Sequence, residues 1–515
     1  MEHQQIKEIL SKQKAFFIKN GPPSYELRID RLDRMKSLIM ENRYKIVDAL
    51  NEDFGVRSKN QSMATDVYTI VPSIEYAKKN LKKWMAGSKR KANFPLGFLG
   101  AKASVDYEPL GTVGMISPWN FPLAIFIGQV AAALASGNAV VAKPAETTTI
   151  SAWFASKLLY KAGVPRDVLQ LVPGEGATVG NTLTASPKID GVCFTGSTLT
   201  AQRINRNMAE HCAPDAPLIA ETGGLNCMIV DSTALLEQAV KDVVRSAFQS
   251  AGQRCSALRM LYIQEDIYAS FISMLSGAIN ELKVADPWHI DTDIGPVINE
   301  QALNTISTYI NDNADNIVVS FEGEVPNHGY FIPPTVIETS GIDALETEIF
   351  GPVLHVAKFK AKHIGQIVER VNASGYGLTF GIHSRIDSRV EKLVSSLNVG
   401  NIYVNRDQVG AIVGSQPFGG ENLSGTGPKA GGPHYLSKFI KSESTMLNLA
   451  SHDIDKETLA FDVVQNKINS LGQTHNRHIL NETTMPGPTG ELNVLREFGK
   501  GVILCLGEHF VLIRL

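Results

Sequence analysis

The sequence predicts an α/β protein built on two doubly wound parallel-sheet units, on three observations. From Ser104 onward, short β-rich runs alternate with longer helical ones. A second series of the same kind begins near "CMIVD" at Cys227. The 515 residues are enough for two or three domains with their own cores, and no low-complexity linker or internal repeat interrupts them. Strand, helix, strand at this rhythm favours a parallel sheet whose ligands sit at the carboxyl ends of its strands.

The first hundred residues read as helices. "RIDRLDRMKSLIMENRYKIVDALNEDFG" places Ile29, Leu32, Met35, Leu38 and Ile39 on one apolar face at three-to-four spacing. The basic run "KKNLKKWMAGSKRK" reads as a solvated helix face, because the rest of the chain balances its charge. In the first α/β series, "TVGMIS" is a strand and "PLAIFIGQVAAALASG" a buried helix. "AVVAKP" is the next strand, "SAWFASKLLYKAG" a helix ending at Gly163, and "LQLVPG" a strand. "NTLTASPKI" is expected as a helix before the strand "GVCFTG". The second series runs through "CMIVD", "RMLYIQ", "VLHVAKF" and "NIYVNR". After Asn448 the chain is less regular, with a turn-rich "PGPTGE" and a final strand-like run that has the look of a trimmed C-terminus.

Composition narrows the function classes. Hydrophobic content of 43% and charged content of 20% are those of a globular protein. A net charge of -3 gives no electrostatic case for nucleic acid or an acidic membrane. The polar start "MEHQQIKEILSKQK" lacks a signal-peptide core. "GQVAAALASGNAVVA" is too short to span a membrane and is broken by Gly137 and Asn138. A cytoplasmic protein is expected. The five cysteines, Cys193, Cys212, Cys227, Cys255 and Cys505, are odd in number and none shows metal-knuckle spacing. His475 and His478 lack acidic or cysteine neighbours, so no metal site is expected.

Several motifs carry chemistry. "VPGEGATVG" supplies Gly174, Gly176 and Gly180, which serve equally as turn glycines or as a loose dinucleotide loop. In "FTGST", Gly196 and Ser197 end a strand where a helix begins; a phosphate site and a plain helix cap are both open. Lys143 and Glu146 of "AKPAET" either grip ribose hydroxyls or form a surface ion pair. Asn120 of "SPWNFP" is an amide donor between two prolines, the rigid setting an oxyanion donor requires. Glu221 of "ETGGLN" precedes two glycines. Cys255 of "SAGQRCSALR" has only small or polar neighbours, unlike a buried structural thiol. A cysteine, an amide donor and a carboxylate base are the parts of thiol-based acyl chemistry. With no imidazole among these motifs and a candidate dinucleotide site beside them, oxidation is favoured over peptide hydrolysis.

"SPWNFPL", "KPAETT", "FTGST", "ETGG", "GQRCSA", "EIFGPV" and "QPFGG" stand in the order found in the aldehyde dehydrogenase superfamily, which the chain resembles over roughly Tyr107 to Ser442. "PLIAETGGLNCMIVDSTAL", "SAFQSAGQRCSALR" and "VGSQPFGGENLSGTGPKAGGPHY" are similar to the glutamate-semialdehyde (pyrroline-5-carboxylate) dehydrogenase module of bacterial bifunctional proline-utilization flavoenzymes. The resemblance implies Cys255 as nucleophile, Asn120 as oxyanion donor and Glu221 as activator of the hydrolytic water. It implies NAD as cofactor. Lys143 and Glu146 would lie at the adenine ribose, Trp119, Gly196 and Ser197 at the pyrophosphate, and Glu348 and Phe350 at the nicotinamide ribose. Ser256, Gly431 and Gly432 would anchor the substrate's α-carboxylate, adjacent glycine N–H groups being able to form an anion nest.

The implied fold is that of the aldehyde dehydrogenases. Residues 1–93 and 109–223 would bind NAD and 224–419 would carry the thiol. Residues 94–108 and 442–449 would form an oligomerisation β-flap, 420–441 the substrate-anchor loop and return helix, and 450–515 a C-terminal extension. A homo-oligomer, dimer or higher, is expected, acting on a small-molecule aldehyde. The N-terminal "GPPSYELRIDRLDRMKSLIMENRYKIVDALNEDFG" resembles class-three and coniferyl-type aldehyde dehydrogenases instead, with the join near Ala101 to Gly111. The proline dehydrogenase barrel and a ribbon-helix-helix segment are both missing, so the second step of proline catabolism, without flavin, is the expected activity. A general or coniferyl-type dehydrogenase of broader range is the alternative.

Overall fold

The computed structural model describes residues 3–92, 94–441, 479–499, 502–505 and 511–514, the last two segments as backbone only. The expected flap strand over 442–449, and His475 and His478, lie outside them.

The first sheet has five parallel strands: β1 (Thr112–Ile116), β2 (Ala139–Lys143), β3 (Leu169–Leu171), β4 (Gly191–Gly196) and β5 (Leu218–Thr222), in the order β3-β2-β1-β4-β5. The second has seven: β6 (Cys227–Val230), β7 (Met260–Gln264), β8 (Ile317–Ser320), β9 (Thr335–Glu338), β10 (Val353–Phe359), β11 (Thr379–His383) and β12 (Asn401–Val404). Their order is β8-β9-β10-β7-β6-β11-β12, with only the edge strand β8 antiparallel. Eight of these twelve are strands the alternating texture predicts; β5, β8, β9 and β11 are not among the runs it singles out.

Both faces of each sheet are covered, which is why the strands read as continuous apolar runs rather than alternating ones. Side chains on successive residues point to opposite faces. In β1, β2 and β4, Val113, Met115, Val140, Ala142 and Cys193 pack on one side, and Val141, Val192 and Phe194 on the other. The first of these cores also takes in Phe126, Ile127 and Val130 of the buried helix α5 (Ala124–Ala135), and Leu158 and Leu159 of α6 (Thr149–Lys161). Two N-terminal helices join it, α2 (Tyr25–Glu41) through Leu32, Met35 and Ile39, and α4 (Ile70–Met85) through Ile70, Ile74 and Leu81. The N-terminal helix α1 (His3–Asn20) closes the opposite face through Ile6 and Leu10. The second sheet divides in the same way, with Met228, Leu261 and Leu354 on one face and Cys227, Met260 and Phe380 on the other.

The N-terminal amphipathic run forms two helices, α2 and α3 (Arg43–Phe54); Asn42 ends the first, its amide donating back to the Leu38 carbonyl. Two local readings are corrected. The first hundred residues are not wholly helical: Ser88–Arg90 pairs antiparallel with Ala103–Val105. Between them, Phe94, Phe98 and Leu99 are exposed, so the segment has no core face to drive helix packing. "NTLTASPKI" is helical only over Asn181–Thr184, since Pro187 follows too closely for another turn.

The C-terminal part described includes an antiparallel hairpin, Ile479–Met485 with Asn493–Phe498. It contacts the main body through Arg406–Glu491 (3.1 Å) and Gln416 Nε2 to Glu491 Oε2 (3.1 Å). No helix among the described residues is long and apolar enough to cross a membrane.

Phe126 is fully buried where α5 meets the first sheet and the N-terminal helices. Phe126→Ala is expected to destabilise the protein by about 3–5 kcal/mol, seen as a lowered denaturation midpoint; an unchanged midpoint would contradict this core assignment.

Candidate active site

The two sheets meet through opposite ends. The first presents carboxyl ends: the loop after β1 carries Trp119 and Asn120, β2 ends in Lys143, β4 in Gly196, and β5 contains Glu221. The second presents amino ends: Cys255 and Ser256 lie on the loop entering β7, and Glu348 and Phe350 on the loop entering β10. Topology thus brings together motifs that are far apart in the chain.

The loop that carries Cys255 leaves the helix α8 (Leu236–Phe248) through three consecutive left-handed residues, Ser250 (φ 60°), Ala251 (φ 54°) and Gly252 (φ 66°). At Gly252 only glycine is possible, since a Cβ would lie 2.1 Å from the Gly351 carbonyl oxygen. The Asn120 side-chain amide donates to the Gln253 carbonyl at 3.3 Å, which places this donor beside the loop that carries Cys255. A bond this long is readily exchanged for a stronger acceptor.

Electrostatics separates the titratable groups. Burial pushes the Cys255 thiol up to about 12, with the Glu348 and Glu221 carboxylates adding to it and the Ser256 N–H opposing. Glu221 is pushed up to about 8 by burial, against the Gly420 N–H, which donates to it at 2.9 Å, and the charge of Lys429. At pH 7 Glu221 is therefore mostly protonated, and its charge weighs on the thiol only near and above pH 8. Gly419 lets the chain pass close to it, since a Cβ there would lie 2.7 Å from Glu221 Oε1. Burial raises Glu348 more than Arg259 lowers it.

At the carboxyl end of β2, Lys143 is buried and its Nζ donates to Glu146 Oε1 (3.1 Å) and the Pro144 carbonyl (3.0 Å). Glu146 Oε1 also accepts the Gly176 N–H at 2.6 Å, so the weak glycine motif serves this carboxylate. Burial works to raise the Glu146 pKa, but its own N–H, Lys143 and the Gly176 N–H outweigh it and hold the group below the usual value. Its side chain is 53% exposed and ready to accept hydroxyl groups. Ser197 is the N-cap of α7 (Thr198–His211), accepting the Thr200 N–H at 3.3 Å, so the cap reading holds whether or not a phosphate also binds. Trp119 and Phe350 meet edge to face, ring centroids 5.6 Å apart.

At the expected carboxylate anchor, Ser256 is buried and Gly431 is left-handed (φ 73°). The Gly432 N–H donates to the Lys429 carbonyl at 3.2 Å, so one of the two expected nest donors is shared with a turn.

Two residues that the motifs did not single out hold the site together. Asn226 is buried; its amide donates to the Cys255 (2.6 Å) and Ala257 (2.9 Å) carbonyls, and its oxygen accepts the Thr379 N–H (3.1 Å). Arg259 is 1% exposed. It grips Glu348 Oε1 through Nε (3.2 Å) and Nη2 (3.0 Å), and donates to the Gly351 and Arg254 carbonyls (3.2 and 3.1 Å). Both stood inside the quoted motifs, "ETGGLN" and "SAGQRCSALR". A side chain buried against partners 29 and 89 residues away leaves no local signal.

The chain is similar to several known proteins. The bifunctional protein PutA of Klebsiella aerogenes is 46% identical over 434 residues, 78% of this chain and 33% of that protein. The chain thus spans about a third of the length of such curated relatives. A 1-pyrroline-5-carboxylate dehydrogenase of Bacillus thuringiensis (strain Al Hakam) is 37% identical over 427 residues, 82% of this chain and 81% of the relative. The crystal structure of 1-pyrroline-5-carboxylate dehydrogenase from Thermus with bound NAD superposes with a TM-score of 0.79 at 30% identity, covering 86% of this chain and 85% of that one. The profile of the aldehyde dehydrogenase family matches residues 2–445, and the chain belongs to that family.

Proposed function

We propose that this protein oxidises L-glutamate γ-semialdehyde, the open form of 1-pyrroline-5-carboxylate, to L-glutamate, the second step of proline degradation, with NAD as hydride acceptor. The observation that carries the chemistry is the convergence of Asn120, Glu221 and Cys255 between opposed sheet ends. The substrate is supported by the relatives named 1-pyrroline-5-carboxylate dehydrogenase that align over most of both chains.

The residues present fit a nicotinamide dinucleotide. Glu146 offers an ionised, half-exposed carboxylate at a strand's carboxyl end, suited to ribose hydroxyls and repellent to a 2′-phosphate. The N-terminus of α7 at Gly196–Ser197 suits the pyrophosphate. Glu348 and Phe350 would hold the nicotinamide ribose beside Trp119. Bound along that edge, the cofactor supplies the hydride acceptor and a positive charge.

In the proposed reaction, Cys255 Sγ gives its proton to solvent water and forms a bond to the aldehyde carbon. The oxygen becomes an alkoxide, held by the Asn120 amide and the Cys255 N–H. A positioned donor of this kind contributes ~3–4 kcal/mol. Loss of hydride from the same carbon leaves a thioester. Glu221, once deprotonated, takes a proton from water, whose oxygen attacks the thioester; the C–S bond breaks, glutamate leaves and the thiolate is regenerated. Ser256, Gly431 and Gly432 would hold the α-carboxylate. A homo-oligomer in a reducing, cytoplasmic setting belongs to this reading. It is supported by the exposed Phe94, Phe98 and Leu99 at the hairpin tip and by the free thiols of Cys193, Cys212, Cys227 and Cys255.

NADH formation with pyrroline-5-carboxylate, propanal, hexanal and coniferaldehyde tests the substrate. The carboxylate-bearing compound is expected to give the highest kcat/KM, and Cys255→Ala to abolish turnover while retaining NAD binding; preference for the aldehydes without a carboxylate would replace this reading with a general aldehyde dehydrogenase.

The pH dependence has a definite sign. Glu221 must be deprotonated to act as base, so hydrolysis of the thioester is expected to accelerate as pH rises through about 8. The step should appear in kcat measured from pH 6 to 9 and vanish in Glu221→Gln. A Glu221→Gln profile identical to the parent's would remove Glu221 from this role.

A further inference from the structure

Residues 57–66 connect α3 to α4 and belong to neither sheet, yet they grip the loops of both. Arg57 and Asp66 form a buried ion pair at 2.8 Å, with side chains 8% and 0% exposed. The guanidinium lies over the Phe54 ring, 4.5 Å from its centroid. The same Arg57 Nη2 donates to the Asn120 carbonyl oxygen at 3.3 Å. The other oxygen of Asp66 accepts the N–H groups of Leu123 (3.2 Å) and Ala124 (3.3 Å), where α5 begins. The peptide of Asn120 is thus held from behind, and the chain three residues further on is held by the partner of the same ion pair.

The second arm reaches the other loop. Gln61 Nε2 donates to Ser250 Oγ at 2.7 Å, and Arg254 Nε donates to the same oxygen at 2.9 Å. Ser250 opens the left-handed run Ser250–Ala251–Gly252 that delivers the chain to Cys255. Two of those three residues carry a Cβ and disfavour that conformation, so contacts from outside the loop must maintain it. Asp66 lies on a π-helical turn, Ser62–Val67, which follows Gln61 directly and offsets the two arms.

Helix capping accounts for Asp66 and the α5 amides. It does not account for Arg57 on the Asn120 carbonyl or Gln61 on Ser250. We propose that Arg57, Gln61 and Asp66 form a positioning clamp that sets the separation between the Asn120 amide and the Cys255 sulfur. The clamp joins the loop after β1 to the loop before β7, and it lies in the N-terminal part of the chain, outside the motifs that carry the chemistry. Its consequence for catalysis rests on the roles proposed above for Asn120 and Cys255; its geometric consequence for the thiol does not.

The test uses the full chain with Gln61→Ala and Arg57→Lys. Arg57→Lys keeps the charge against Asp66, but its shorter side chain draws the nitrogen back from the Asn120 carbonyl; Gln61 is only partly buried, so its truncation leaves the fold intact. Two rates are measured: alkylation of Cys255 by iodoacetamide without cofactor, read on its peptide by mass spectrometry, and first-turnover NADH formation with pyrroline-5-carboxylate and with propanal. In Gln61→Ala the loop relaxes around a thiol now suppressed by burial, so alkylation should rise about fivefold while first-turnover oxidation falls about tenfold, with KM for NAD unchanged. Arg57→Lys should lower first-turnover oxidation about tenfold and leave alkylation at the parent rate. General destabilisation would instead lower the reacting fraction of enzyme without moving the two rates in opposite directions. Both Gln61→Ala rates within twofold of the parent, or an Arg57→Lys first turnover equal to the parent's, would overturn the clamp. A parent that oxidises neither compound, with alkylation still raised in Gln61→Ala, would defeat the proposed activity and leave the clamp standing.

Discussion

The arrangement depends on Asn226. It sits between the end of β5 and the start of β6, where the chain passes from one sheet to the other, and its side chain satisfies three backbone groups at once. Two are carbonyls of the loop that carries Cys255 and one is an amide at the start of β11. Its own carbonyl accepts the N–H groups of Arg259 and Met260. An unpaired buried polar group costs about 1–3 kcal/mol, so an apolar side chain here would leave several such groups stranded. The position of Cys255 relative to both sheets follows from this residue. Glu221, on the last strand of the first sheet, is only five residues upstream.

A second constraint acts from the opposite side. Arg259, almost fully buried, spends its guanidinium on Glu348 and on the Gly351 and Arg254 carbonyls. It therefore joins the loop that carries Cys255 to the loop that would meet the nicotinamide ribose. Glu348 is still raised by burial despite this partner, and its carboxylate, with that of Glu221, adds to the rise of the thiol. The pair organises the site and should not be credited as a large stabiliser, since desolvating both charges offsets most of their attraction.

The architecture was legible because its signals are local. Strand–helix alternation, buried apolar runs and turn glycines announced both sheets, and Asn120, Lys143 and Glu146 fell at or just beyond the carboxyl ends of strands, where ligands collect. The supports were illegible for the converse reason. Asp66 reads as an ordinary acidic residue in a polar helix, yet it is completely buried against an arginine nine residues away and amides near residue 123. Arg57 and Gln61 reach partners 63 and 189 residues off. The hairpin at Ser88–Val105 was missed because its apolar tip is exposed, so periodicity had no buried face to report. The Gly431–Gly432 pair reads as an anion nest, and only the fold shows that one of its amides already serves a turn.

The central claim is that Cys255, held between opposed sheet ends, carries the acyl group. Glu221→Gln should slow release of that group, so the most direct measurement is peptide mass spectrometry of this variant, quenched in acid after reaction with NAD and pyrroline-5-carboxylate. The account predicts a glutamyl mass increment on the peptide containing Cys255. An unmodified Cys255, or an adduct on Cys193, Cys212 or Cys227 instead, would contradict it.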